Sequence, residues 1–176
     1  HPTLRRQRQM CIRDSSKDTE EIIKTVKNIA CSFGGINLED IGAPECFIIE
    51  QKLKELVDIP IFHDDQHGTA IITTAGLINA LDISGKSIKD VKIVVNGAGA
   101  SAIACTELFK NSGVPHDNVI MCDRKGVIYR GRPGELSQWK SKHAVDTKKR
   151  TLEEAIKNAD VAVSYTHLTL PTKCWV

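Results

Sequence analysis

One stretch limits the architecture more than any other. The apolar run Val91, Ile93, Val94, Val95 ends at Asn96 and passes directly through Gly97-Ala98-Gly99 into the helix-period residues Ala102, Ile103, Leu108 and Phe109. A strand over 91–95 that is apolar at every position but Lys92, not alternating, is buried on both faces over most of its length, which is the habit of a parallel strand covered by helices. Gly113 closes the helix that follows. The same alternation recurs on either side. Upstream, Ile22, Ile23, Val26, Ile29 and Ala30 keep helical spacing until Gly34-Gly35, and a short strand over 36–38 follows. Pro44 then suits a helix start, with Phe47, Ile48, Leu53 and Leu56 as its apolar stripe. A strand over 59–62 leads into a helix over 68–81 that is apolar nearly all round and is therefore expected to be buried.

Downstream, a strand over 119–122 carries Asp123 at its tip. Residues 124–150 are polar and hold Gly126, Gly131, Pro133 and Gly134, so they read as a hairpin and loops around one short helix. Thr151-Leu152-Glu153-Glu154 has the capping-box pattern and opens a helix to Asn158, before a last strand over 160–163. Strand and helix alternate throughout, so the class is α/β with mainly parallel sheets. The polar link Ser84-Gly85-Lys86-Ser87 divides the chain into parts spanning 16–83 and 84–163.

Composition narrows the setting. A net charge of +2 gives no electrostatic footprint for nucleic acid or a membrane surface. No apolar run approaches the ~18 residues of a spanning helix. Six cysteines are scattered with no CxxC pair; Cys31, Cys46, Cys105 and Cys122 fall in apolar or helical patterns and read as reduced, buried thiols, which points to the cytoplasm. Both ends depart from the middle. Residues 1–15 are basic without period, and the Thr/His/Pro stretch from Ser164 to Thr172 breaks an expected apolar strand. Segments 1–15 and 164–176 are therefore expected to be non-native tails on a piece of a longer protein.

Three constellations carry chemistry. In the glycine turn, Gly97 permits the bend and Gly99 lets backbone N–H groups approach a pyrophosphate at the helix N-terminus, across Ala98, Ala100 and Ser101. Strict GxGxxG spacing is not met, and a turn serving packing alone is the competing reading. Asp123, at the next strand tip, stands where a carboxylate accepts ribose hydroxyls, whereas Arg124 and Lys125 beside it suit a 2′-phosphate. NAD and NADP both stay open. The second constellation is acidic: Glu39-Asp40 and Asp64-Asp65 each end a short strand, where ligands sit in α/β sheets. Glu39, Asp40 and Asp65 would offer hard oxygen donors to Mg²⁺ or Mn²⁺, while solvated loop acids or helix caps are the alternative. The third, His63 with His67, is spaced like a zinc pair but precedes its helix, so a supporting role for His67 is expected in place of zinc ligation. Lys86 and Lys89 read as solvated, and Arg130 and Arg132 as loop charges without an assigned partner.

Asn37-Leu38-Glu39-Asp40, Phe62-His63-Asp64-Asp65-Gln66-His67-Gly68-Thr69, Asn96-Gly97-Ala98-Gly99-Ala100 and Asp123-Arg124-Lys125-Gly126-Val127-Ile128 together resemble the bacterial-type malic enzymes over about residues 16–163. The resemblance implies the end of a metal and substrate domain followed by the first half of a Rossmann-like dinucleotide-binding domain. It implies oxidative decarboxylation of L-malate to pyruvate and CO₂ with reduction of NAD or NADP, and at least a dimer in the full-length form. It implies Glu39, Asp40 and Asp65 as ligands of Mg²⁺ or Mn²⁺, Asp64 as the acid that orients the catalytic lysine and substrate, and residues 97–101 as the pyrophosphate loop. The family's general-acid tyrosine and general-base lysine belong to an upstream motif in which neither Tyr129, Tyr165 nor any lysine of this chain stands. Two other classes compete. A metal-independent amino- or hydroxy-acid dehydrogenase would share the turn but leave the three acids without a role. A non-catalytic dinucleotide-binding domain would need neither metal nor malate.

Overall fold

The structure is a computed structural model that describes residues 16–164; the expected tail at 1–15, and that at 164–176 apart from Ser164, lie outside the described residues, Tyr165 included. The chain forms two compact units, divided between Asp64 and Asp65.

The first unit begins with α1 (Thr19–Ile29). Asp18 caps it by accepting from the Glu21 N–H at 2.8 Å, and Glu20 and Glu21 favour the positive end of the helix dipole. A single 3-10 turn, Ala30–Ser32, runs on from it. Strand β1 (Ile36–Leu38), helix α2 (Glu45–Leu56) and strand β2 (Ile61–His63) follow. The two strands are parallel, with Ile36 opposite Ile61 and Leu38 opposite His63. Ile23, Leu38, Ile49, Leu53 and Ile61 make the core. The buried stripe of α2 is Cys46, Ile49, Glu50 and Leu53, not the expected Phe47, Ile48, Leu53 and Leu56; Ile48 and Leu56 are exposed. The true stripe keeps i, i+3, i+4, i+7 spacing but contains a cysteine and a glutamate, which disguised it. Glu50 keeps its charge compensated through Lys54, one turn on, at 2.8 Å.

A π-helical turn, Asp64–Gly68, runs across this division, and the second unit continues with α3 (Thr69–Ser84). Gly85, at φ +66°, ends α3 in the left-handed cap that glycine adopts without penalty, and the Lys86 N–H reaches back to the Leu81 carbonyl. The four-stranded sheet has the order β5–β4–β3–β6: β3 (Ile93–Asn96) pairs in parallel with β4 (Val119–Asp123) on one side and β6 (Val161–Ser164) on the other. Strand β5 (Gly126–Val127) returns antiparallel against β4. Helix α4 (Ala100–Asn111) connects β3 to β4, and the short helices α5 (Gln138–Ser141) and α6 (Leu152–Ile156) precede β6. Ile93, Val94 and Val95 are all buried, as a central parallel strand requires. The capping box forms as its sequence predicts, Thr151 accepting from the Glu154 N–H and Glu154 reaching back. The fold class is thus α/β with mainly parallel sheets.

Helix α3 departs from expectation. Ala70, Thr74, Leu77 and Leu81 are buried, but Ile71, Ile72, Ile78 and Ile83 are exposed, Ile83 at 87 %. In its own unit α3 packs chiefly on α4, and one neighbouring helix covers only one stripe. That packing also places α3 in the second unit, upstream of the polar link at Ser84. Cys31 is exposed, unlike its expected burial, because it lies in the open 3-10 turn after α1. Cys46, Cys105 and Cys122 are buried free thiols; burial pushes Cys46 and Cys122 up to about 11, which keeps them protonated and unreactive.

Candidate functional site

The order β4–β3–β6 makes β3 the strand from which successive connections diverge, so the crevice beyond its carboxyl end is a topological switch point. The glycine turn lies there. Gly97, at φ +130°, takes a conformation closed to most side chains, and its N–H bonds the Cys122 carbonyl at 2.9 Å, binding the turn to β4. Gly99 is the N-cap of α4 and supplies no side-chain cap bond; its carbonyl accepts from the Ile103 N–H. The first-turn N–H groups of a twelve-residue helix therefore point outward with the positive end of its dipole. A Cβ on Gly97 or Gly99 would meet no atom within 4 Å, so this side of the turn is open to a ligand. Ala98, Ala100 and Ser101 stand where the sequence placed them.

Asn96 pairs with Cys122 across β3 and β4, which sets Asp123 one residue past the paired position, beside the turn. Its carboxylate already has partners within the chain. Arg132 clasps it bidentately, Nη1 to Oδ1 at 2.9 Å and Nη2 to Oδ2 at 2.7 Å, and the Lys125 N–H donates to Oδ1 at 2.8 Å. Lys140 Nζ stands 3.9 Å from Oδ2. The Arg132 hydrogen bonds, with the Lys125 N–H and the nearby cations, hold the Asp123 carboxyl below its ordinary value. Arg132 also donates to the Val127 carbonyl, so the hairpin that carries it is fixed to the same strand tip. The expectation that Arg132 has no partner is thereby corrected. The sequence held one usable signal: an acid at a buried strand tip needs a cation, and glycines at 126 and 131 let the chain fold back to bring one.

Gly126 shows how tightly this return is built. At φ +101°, any Cβ there would lie 2.2 Å from the Arg150 carbonyl oxygen. Arg150 in turn stacks over Tyr129, 3.7 Å from the ring centre.

In the first unit, parallel pairing of Leu38 with His63 sets Glu39 and Asp64 one residue beyond matched positions on adjacent strands. Glu39, Asp40 and Asp64 are exposed; Asp40 takes a left-handed φ of 59°, and Asp65 follows Asp64 in the π turn. These are hard oxygen donors in kind, the type Mg²⁺ and Mn²⁺ take. Among the described residues, no group of three or more His, Cys, Asp or Glu side chains is assembled to hold a metal. His63 is fully enclosed, and neither ring nitrogen has a hydrogen-bond partner in the structure.

The family description "Malic enzyme, NAD binding domain" matches residues 66–166, and "Malic enzyme, N-terminal domain" matches residues 3–54. The NADP-dependent malic enzyme of Rhizobium meliloti is 59% identical over 146 residues, 83% of this chain and 19% of that protein. The NADP-dependent malic enzyme of Halomonas elongata is 57% identical over 148 residues, 84% of this chain and 35% of that protein. The crystal structure of the NAD-dependent malic enzyme from Thermotoga maritima superimposes with a TM-score of 0.80 at 41% identity, over 87% of this chain and 41% of that one. The chain thus spans between about a fifth and two fifths of these relatives.

Proposed function

The chain belongs to the malic enzyme family, and on that premise we propose that it is the metal- and dinucleotide-binding part of an enzyme that oxidises L-malate and decarboxylates it to pyruvate and CO₂. The observation that carries the proposal is the open, uncapped N-terminus of α4 at the switch point, with Asp123 on the adjoining strand tip. Backbone N–H groups of residues 99–101 hold the pyrophosphate there. Glu39, Asp40 and Asp65 are the carboxylates that hold a divalent cation, and Asp64 orients the substrate side of the site. Mg²⁺ or Mn²⁺, when bound, supplies Lewis-acid polarisation of the oxygen borne by the reacting carbon. The protein's own contribution is position: two parallel strand ends present the acids, and a helix dipole receives the phosphates.

The cofactor preference we propose is NADP. Arg132 neutralises Asp123, Lys140 stands just beyond hydrogen-bonding reach of it, and Arg124 and Lys125 are exposed on the same turn. A 2′-phosphate would meet net positive charge at this tip, whereas a ribose diol would find Oδ1 already engaged by two donors. We place the full-length enzyme in the cytoplasm as a homo-oligomer. No helix among the described residues is long and apolar enough to cross a membrane.

Titration of the chain with 2′,5′-ADP and with 5′-ADP by calorimetry tests the cofactor reading; tighter binding of 5′-ADP would refute the preference. Malate-dependent formation of NADPH with Mn²⁺ tests the rest. The expected result is binding with little turnover, since the family's general-acid tyrosine and general-base lysine have no counterpart in these motifs. A metal-independent oxidation of a hydroxy or amino acid by the chain would favour the dehydrogenase alternative.

A further inference from the structure

Three residues far from the phosphate loop share one cation. Lys110, near the end of α4, places Nζ 3.2 Å from Nδ1 of His116 and 3.2 Å from Nδ1 of His143. His116 lies in the 3-10 turn His116–Asn118 that leads into β4, and His143 lies two residues beyond α5. We propose that Lys110, His116 and His143 form a proton-sensitive latch that holds the strap over residues 137–145 in place, and with it Lys140 beside Asp123.

The hydrogen positions follow from the partners. His116 Nε2 is 3.1 Å from the Ala144 carbonyl, which only accepts, so Nε2 carries the proton. A neutral His116 ring then has a bare Nδ1, which is what an ammonium, a donor only, requires. The same ammonium faces His143 Nδ1, so that ring too must be neutral with its hydrogen on Nε2. His143 is enclosed, and its Nε2 has no partner. Adding a proton to His143 Nδ1 would abolish the bond and set two like charges against each other in a dry site.

The neighbouring charges agree with this polarity. Lys110 faces Glu107 and Asp117, which favour its charge, and Lys142, which opposes it. Lys142 is itself paired with Glu107. His143 faces Lys110, Lys142 and His116, all opposing protonation, with Glu107 favouring it. Burial and then Lys110 bring His143 down to about 4, while burial brings Lys110 down to about 8. At neutral pH the latch is closed: the Lys110 amine is charged and the His143 ring neutral.

The strap it holds has two ends. At one, the Arg130 N–H donates to the Val145 carbonyl at 3.0 Å and Ala144 and Val145 are buried. At the other, α5 carries Lys140 to within 3.9 Å of Asp123. A released His143 takes its proton near the ordinary 6.5, and a latched one resists to about 4. The closed state therefore loses ground as pH falls from 6.5 towards 4, about tenfold per pH unit inside that window. Opening withdraws Lys140 from the strand tip and leaves Arg132, held from the hairpin, in place.

Trp139 lies on the strap, and Trp175→Phe makes it the sole tryptophan. Nitrogen-15 NMR of the histidines at pH 7 is expected to show bare Nδ1 and protonated Nε2 on both His116 and His143. Trp139 emission, followed from pH 7.5 to 4, should change with a midpoint between 6.5 and 4 while far-UV circular dichroism holds. Lys110→Met removes the latch itself, so Trp139 emission should take its acid value already at pH 7.5, and the His143 midpoint read by nitrogen-15 NMR should rise by roughly one pH unit as the facing charge is lost. His143→Phe should flatten the emission titration; if that variant does not fold, the Lys110→Met shift still decides. A His143 ring charged or protonated on Nδ1 at pH 7 would overturn the latch. So would Trp139 emission that changes only when secondary structure is lost, or a midpoint indifferent to Lys110.

Discussion

The two units present acids at strand ends in opposite ways. In the first, Glu39, Asp40 and Asp64 stand exposed beyond two short parallel strands. In the second, Asp123 is largely enclosed and clasped by Arg132, with side chains 13% and 7% exposed. An exposed carboxylate keeps its water until a cation replaces it, so its site costs the fold little and offers much to a metal. An enclosed carboxylate must have its charge matched by the protein itself, and that match is part of the fold. The chain thus carries one acidic tip left open to solvent and one already neutralised from within.

The sharpest way to break the comparison is Arg132→Met. It would strand the Asp123 charge in a mostly enclosed site, and breaking such a pair costs on the order of 3 kcal/mol of unfolding free energy, measurable by urea denaturation. Asp123→Asn combined with Arg132→Met should recover more than half of that loss. In the unaltered chain, the folded Asp123 value is depressed, so its stabilisation is present above the ordinary 3.8 and is lost as pH falls below it, through the lower folded value. Equal stability of Arg132→Met and the parent would mean that this tip, too, is merely a solvated acid.

Metal addition is the next test, and it acts on the other tip. If Glu39, Asp40 and Asp65 bind Mn²⁺, adding it at about a hundredfold over its Kd should stabilise the chain by about 2.7 kcal/mol. The triple change Glu39→Gln, Asp40→Asn, Asp65→Asn should abolish that gain. In the absence of metal, Glu39→Gln alone should alter stability by no more than roughly 0.5 kcal/mol, as exposed substitutions do. A large loss without metal would erase the contrast between the tips.

Lys140→Met gives a smaller effect with a clear split. Its side chain is 32% exposed and 3.9 Å from Asp123, so it contributes less than about 1 kcal/mol to stability. Binding of 2′,5′-ADP should weaken by roughly fivefold to tenfold while 5′-ADP binding holds, if the residue meets a 2′-phosphate. An equal loss for both ligands would assign Lys140 to general electrostatics.

What the sequence disclosed and what it hid follow the range of the interactions. The turn at Gly97–Gly99, the helix after it and the Thr151–Glu154 box were legible because every determinant lies within a few residues. The face of α3 was not, since a helix apolar all round has no stripe to read, and only its packing on α4 selects Thr74 and Leu77 over Ile72 and Ile83. Asp123 could be placed at its strand tip but not given its partner, because Arg132 returns through a hairpin whose path depends on Gly126. Lys110, His116 and His143 are joined only by the fold, and no local pattern marks them.

A last pair of substitutions separates the units themselves. Each holds a helix whose N-terminus is closed by a side chain: Asp18 on α1 in the first and Thr151 on α6 in the second. Replacing either by alanine leaves one helix N–H without its acceptor and costs about 1 kcal/mol. Amide exchange reads where that cost falls. Asp18→Ala should speed exchange in α1 and at the β1–β2 core it covers, where Ile23 packs against Leu38 and Ile49. Thr151→Ala should act on α6 and, through Ala155, on Val94 and Val127 in the second sheet. If each change stays within its own cluster, the Glu39–Asp64 tip and the Asp123 tip rest on separate cores, and their different treatment of charge can vary independently. Spread of either effect across both clusters would instead make the two tips parts of one cooperative fold, and the contrast between them a property of exposure alone.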